Sequence, residues 1–279
     1  MSVEVKPLAA GLGAEISGVD LKAPSEDDKR AIYQAFLDHH MIVLHDQDGL
    51  DTDDVMGASR ILGDQLEAHI FTRFHHPDTP LVMVLSNRTD DAGTAQGLKD
   101  AGSFWHSDVS YKEIPAKATM LYALEVPDFG GDTHFCNMTA AYDGLSGAMK
   151  QRLGGLEAVH NYAHTPREIF KSGEVTPPPD CVHPVIRSNP ENGSKSIYIN
   201  PSYTVRILGM SEAESDVLKQ EIFDHCLQDA YCMTYNWRAG DVVAWDNSAS
   251  MHAATTINLD PAKHRTLWRT IISGEERPR

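Results

Sequence analysis

The chain has 279 residues, with 24 Lys and Arg against 40 Asp and Glu, a formal net charge of −16. That balance excludes an ordinary nucleic-acid binder, which draws its affinity from a surplus of Lys and Arg, and it disfavours docking on an anionic membrane. A composition 41% hydrophobic and 23% charged belongs to a globular protein with a sizeable core, and 279 residues without a Pro/Gly/Ser linker or a repeat predict a single domain over 1–279.

Ser25 followed by Glu26, Asp27 and Asp28 reads as an N-cap with an acidic first turn, and Ile32, Phe36 and Leu37 recur near a helical period, so a helix is expected to about His40. A strand follows over Met41–Leu44. A second helix is expected from Thr52 to Leu62, with Gly63 as its stop, and Leu81–Leu85 reads as a buried strand. From Phe104 onward the signal changes to short strands rich in β-branched and aromatic residues. They are expected over Lys117–Val126, Thr133–Cys136, Cys181–Arg187, Ser196–Asn200, Tyr231–Trp237, Val242–Trp245 and Arg265–Ile272. Ser211–Gln228 interrupts them as one helix, opened by a Ser211/Glu214 capping box. Many short strands with a few helices predict a mainly β fold with helical decorations, a sandwich or jelly roll.

Asp90–Gly102 is polar and Gly-rich, and Pro166–Asp180 contains three consecutive prolines. Loops of this length in a compact domain are commonly functional covers, so lids are expected near 63–102 and 163–180. No apolar run approaches the roughly 18 residues of a membrane span, and the N-terminus shows no basic-then-apolar leader, so a cytoplasmic location is expected. The four cysteines form no C-x-x-C pair and read as reduced, buried fillers.

Fourteen histidines are present, so a lone histidine carries little information. A His-x-Asp triplet on a strand says more, because residues i and i+2 face the same side and can share one metal ion. His76-Pro77-Asp78 lies between prolines and reads as a solvated turn. His106-Ser107-Asp108 lies in the aromatic segment 104–111, which places an imidazole beside a carboxylate at a strand edge; a buried histidine bonded to a neighbouring carboxylate would account for it equally. Two histidines and one carboxylate on one face of an octahedral ion leave three positions open, which suits iron(II) holding a co-substrate and oxygen. His252 is a candidate third ligand, but spacing alone does not choose it over His160, His164, His183, His225 or His264.

Several motifs in order point further. Trp105-His106-Ser107-Asp108, then Gly130-Gly131-Asp132-Thr133 with Ala140-Ala141-Tyr142, then Gly240-Asp241 through Trp245-Asp246-Asn247 to His252, and finally Arg265-Thr266-Leu267-Trp268-Arg269 resemble the taurine dioxygenase and 2,4-dichlorophenoxyacetate dioxygenase family. The resemblance spans nearly the whole chain. It implies a double-stranded β-helix core of the jelly-roll, cupin-like kind and an iron(II)- and 2-oxoglutarate-dependent dioxygenase that consumes O2 and releases succinate and carbon dioxide. His106, Asp108 and His252 would hold the iron and carry the catalysis. Arg265, assisted by Thr133, would meet the far carboxylate of 2-oxoglutarate, and Arg269 would face the near end of the co-substrate or an acidic group of the substrate. Tyr203, Tyr162, His69 and Val109 would complete the substrate site.

The resemblance therefore implies a small anionic substrate, a carboxylate or sulfonate, and a homo-oligomer, dimer or tetramer. Where the taurine enzyme carries an asparagine for the substrate amine, this chain reads Ala101-Gly102-Ser103-Phe104, which argues against taurine itself. Two other classes fit the triplets alone: a jelly-roll binding module without turnover, and a zinc hydrolase using the same His/Asp/His set.

Overall fold

A computed structural model describes residues 3–8, 11–164 and 176–279. Its large sheet has nine strands, eight of them in the order Glu4–Pro7, Ala14–Ser17, Met41–Leu44, Val242–Asp246, Ala116–Glu125, Thr266–Ser273, Thr79–Ser86 and His75–His76, with Leu66–Glu67 also pairing Thr266–Ser273. All pairings are antiparallel except Ala14–Ser17 with Met41–Leu44. A three-stranded sheet, Cys232–Tyr235, Thr133–Asn137 and Ser250–Ala254, lies over part of it. This is the jelly-roll arrangement that strand spacing and family resemblance predict.

Alternation along one strand shows how the layers form. Val243 and Trp245 point into a core shared with Phe135, Leu121 and Leu267, whereas Val242 and Ala244 point to the opposite face, against Phe36, Ile32 and Val55. A period of two with both faces covered gives an unbroken apolar run. The outer cover is supplied by the helices Glu26–His39 and Thr52–Ser59, each opened by a full capping box. Glu212–Cys226, capped by Ser211 and Glu214, packs Leu218 and Ile222 against Cys136 and Met251 on the outside of the smaller sheet. A buried side chain of this size contributes about 2 kcal/mol, so the layers hold the strand that carries His252 firmly.

Several expected boundaries move. The second helix ends at Ser59, because residues 60–62 continue as turns before Gly63. Cys181–Arg187 is two strands in two sheets, Cys181–Pro184 and Ile186–Ser188, since Val185 breaks away to pair its backbone with Leu156 and Tyr198. Ser196–Asn200 shortens to Lys195–Ile197. Cys136 and Cys226 are buried, whereas Cys181 and Cys232 are half-buried, and all four are free thiols. His76-Pro77-Asp78 forms the expected turn, with Asp78 N–H donating to His76 Nδ1. Of the second predicted lid, residues 165–175 lie outside the described residues. No helix among the described residues is long and apolar enough to cross a membrane.

Two histidines are buried away from the metal-ligating motif. Burial pushes His160 down to about 3 and His183 down to about 4. Both are neutral in the fold, while the unfolded chain takes up protons below about 6.5. Their contribution to stability is therefore complete above pH 6.5 and is lost as pH falls towards 4 and then 3. The urea midpoint of the metal-free chain is expected to fall between pH 7 and pH 5, and to fall less in a His160→Asn, His183→Asn double variant.

Candidate active site

The strand edge that the sequence suggests for His106–Asp108 is absent. His106 makes a single bridge to His252, with backbone hydrogen bonds of 3.0 and 2.9 Å, and the chain then turns at once. Val109, with φ of 59°, takes the left-handed conformation that reverses the chain after Asp108. Asp108 thus reaches the same point as His106 through a turn rather than through strand alternation.

His106, Asp108 and His252 are all buried, their ligand atoms lie within 4.8 Å of one another, and they are the only such group of three among the described residues. His106 Nε2 is 3.4 Å from Asp108 Oδ1, and His252 Nε2 is 3.5 Å from Asp108 Oδ2. Ligands at adjacent corners around an ion with bonds of about 2.1 Å are roughly 3 Å apart, so the three atoms fit one first-row metal ion. The tautomer fits as well. His106 Nδ1–H donates to the Phe104 carbonyl at 2.7 Å, which leaves Nε2 with its lone pair. Burial, reinforced by His106, holds His252 down to about 3, so its ring is neutral at pH 7. Burial alone would raise Asp108, but His252, His106 and Arg269 outweigh it and hold the carboxyl well below the usual range.

Asp108 is gripped by groups that the sequence reading did not single out. Thr119 Oγ1 donates to its Oδ2 at 2.8 Å, its N–H donates to Asn247 Oδ1 at 3.2 Å, and Asn247 Nδ2 donates back to Thr119 at 3.0 Å. Asn247 stood in the quoted Trp-Asp-Asn motif, but its long-range partners have no local signature.

Two cavities meet at His106, Asp108 and Arg269. One runs past His252 to Thr133 and Arg265. Arg265 donates from Nε to the Gly131 carbonyl at 2.8 Å, and no carboxylate lies within ion-pair distance of it among the described residues. Burial pushes it down to about 10, so it remains a cation at pH 7. Thr133 Oγ1 accepts from Trp237 Nε1 at 3.0 Å, which keeps its own proton available for an anion.

The other cavity holds all the remaining candidates: His69, Val109, Tyr162, Tyr203 and Arg269. Tyr111, missed from sequence although it sits just beyond the His-x-Asp turn, joins them, with ring centroids 4.2 Å from Tyr162 and 5.0 Å from Tyr203. Burial, followed by the charge of Arg269, holds His69 well below its usual value. Its Nδ1 accepts from Phe71 N–H, leaving Nε2 as the donor of a neutral ring. Arg269 Nη1 lies 3.8 Å from Asp108 Oδ1, Nη2 donates to Met83 Sδ, and Nε has no acceptor.

Gly131 sets the position of Arg265. It has φ of +73°, and a Cβ there would come within 2.8 Å of Arg265 Cδ. Gly131→Ala is expected to raise KM for 2-oxoglutarate about tenfold, a loss of about 1.4 kcal/mol, with an unchanged far-UV spectrum. Equal KM values in steady-state assays would show that Arg265 tolerates the displacement.

A jelly roll whose core presents two imidazoles and a carboxylate on one side of a metal position, with a buried arginine beyond, defines a non-haem iron(II)- and 2-oxoglutarate-dependent oxygenase. The family model for the taurine catabolism dioxygenase TauD, TfdA family matches residues 4–271, and the chain belongs to that family. It is 30% identical to an alpha-ketoglutarate-dependent sulfate ester dioxygenase of Pseudomonas putida, over 99% of this chain and 91% of that protein. It is 29% identical to the (S)-phenoxypropionate/alpha-ketoglutarate-dioxygenase of Sphingobium herbicidovorans, over 98% and 95% of the two chains. Among solved structures, a taurine dioxygenase from Burkholderia xenovorans superposes with a TM-score of 0.82 at 29% identity, covering 99% of this chain and 90% of that one. AAD-2 in complex with Mn(II) and N-oxalylglycine superposes with a TM-score of 0.79 at 25% identity, covering 99% of both.

Proposed function

We propose that this dioxygenase hydroxylates a small organic anion, a carboxylate, sulfonate or sulfate ester, with His106, Asp108 and His252 as the iron ligands. The observation that carries this reading is the meeting of two cavities at Asp108, one ending on a buried cation and a hydroxyl, the other on aromatic rings with a second cation. Bound iron(II) with 2-oxoglutarate and O2 supplies the oxidising chemistry, converting the co-substrate to succinate and carbon dioxide and placing oxygen on a C–H bond. The chain's own residues do the rest. Arg265 and Thr133 bind the far carboxylate of 2-oxoglutarate, the guanidinium as a planar fork. Arg269 and the His69 N–H attract the acidic head of the substrate. Val109, Tyr111, Tyr162 and Tyr203 hold its apolar part and exclude water from the reacting bond. Leu98, Ala101 and Gly102 border the substrate cavity, and the loop that carries them would serve as its lid.

The named relatives act on a sulfate ester and a phenoxypropionate, both organic anions, which supports this substrate class. A zinc hydrolase would have no use for a buried arginine and a threonine hydroxyl at the end of one cavity. The test is turnover under air with iron(II), ascorbate and 2-oxoglutarate. Succinate is expected to rise well above background only with members of a panel of alkyl and aryl carboxylates, sulfonates and sulfate esters. Coupling only to cationic or neutral compounds would overturn the assignment of Arg269 and His69.

A further inference from the structure

A further cavity among the described residues lies away from the metal position. It has a volume of about 470 Å³, against about 30 and 40 Å³ for the two that meet at Asp108, and it lies beside the turn 246–248. Asp246 and Ser248 line it, while Asn247 between them faces the opposite way, towards Asp108.

Its most unusual occupant is Arg187, on the short strand Ile186–Ser188. This side chain is only 7% exposed, and among the described residues no carboxylate lies within ion-pair distance of it. Its Nε and Nη1 have no acceptor, and the guanidinium carbon lies 4.8 Å from the ring centroid of Tyr198. A cation–π contact offsets only part of the cost of burying a guanidinium. The carboxylates nearby are engaged elsewhere. Asp246 accepts from Ser248 N–H at 2.7 Å and from Asn189 Nδ2 at 3.0 Å, and Glu191 pairs with Lys117 at 2.7 Å. Among the described residues, the cavity therefore contains a buried cation that lacks an anion.

The rim has the opposite character. Glu275 is exposed and makes no ion pair among the described residues, and Glu276 stands beside it. Two cations against four carboxylates line the space, so a second negative charge on a ligand would be repelled. An additional positive charge would be favoured.

We propose that this cavity is a second small-molecule site that takes a zwitterionic amino acid, its carboxylate on Arg187 and its ammonium towards Glu275. The volume lies within the range of small-ligand sites. The charge pattern excludes dicarboxylates such as 2-oxoglutarate and succinate, so the site is distinct in chemistry from the one at Arg265.

The test is calorimetric titration of the full chain, saturated with Mn(II) and N-oxalylglycine, with α-amino acids from glycine to phenylalanine and with the corresponding deaminated acids and amines. Saturable binding of at least one amino acid is expected, at least tenfold tighter than its deaminated acid. Arg187→Gln is expected to weaken it at least tenfold and Arg269→Gln to leave it within twofold. Should Arg187→Gln fail to fold, the exposed Glu275→Lys decides: the preference for the amino acid over its deaminated acid is expected to disappear. No saturable binding in the wild type, binding unchanged in both Arg187→Gln and Glu275→Lys, or binding lost in Arg269→Gln would overturn the proposal; the last would place the ligand in the substrate cavity instead.

Discussion

Replacing Arg265 by methionine is expected to raise KM for 2-oxoglutarate on the order of 10²-fold, with the fold retained. Truncating one partner of a buried, hydrogen-bonded charge pair costs about 2–5 kcal/mol, which corresponds to roughly 30-fold to several thousand-fold. Methionine preserves much of the stem that packs beside Gly131 and Trp237 while removing the cation. Lysine is expected to recover only part of the loss, because an ammonium cannot reproduce a planar fork. KM for the primary substrate should change little, since Arg265 does not line the cavity that holds His69, Tyr162 and Tyr203. A methionine variant with unchanged KM for 2-oxoglutarate would remove Arg265 from the co-substrate site.

The second large effect is expected at Asp108. Asp108→Ala should reduce metal affinity by on the order of 10³-fold and abolish coupled turnover, because loss even of a group supporting a ligand costs 10–100-fold. The variant also leaves Arg269 without its nearest carboxylate, at 3.8 Å, so near-UV circular dichroism must accompany the measurement. Asn247→Ala and Thr119→Val separate the two effects. Both leave the carboxylate in place and only loosen its orientation, so the loss in metal affinity should stay within 10–100-fold. Equal losses in Asp108→Ala and Thr119→Val would mean that Asp108 acts through packing rather than as a ligand.

How much of this could be read in the chain divides along physical lines. Helix starts were legible because capping is local: Ser25 ahead of an acidic first turn and the Ser211/Glu214 box mark the helices that the structure opens at those same caps. The strand expected over Val242–Trp245 was legible from its β-branched and aromatic residues, and it is found over Val242–Asp246. The turn after His106 was not, because the aromatic and β-branched residues of 104–111 have strand propensity, and only the bridge to His252 and the left-handed Val109 redirect the chain. Spacing could not choose His252 among the histidines, since its approach to His106 is set by a pairing across 146 positions. Family resemblance supplied that choice, and the geometry brings the two residues together with Asp108. Asn247, Thr119 and Gly131 act through long-range contacts, which leave no periodic or compositional trace.

The most direct test of the account is a crystal structure of the chain with Mn(II) and N-oxalylglycine, read by anomalous scattering at the manganese edge. A single strong peak is predicted within about 2.3 Å of His106 Nε2, His252 Nε2 and an Asp108 carboxylate oxygen, with the far carboxylate of the inhibitor on Arg265. A peak elsewhere, or one that either histidine fails to ligate, would contradict it.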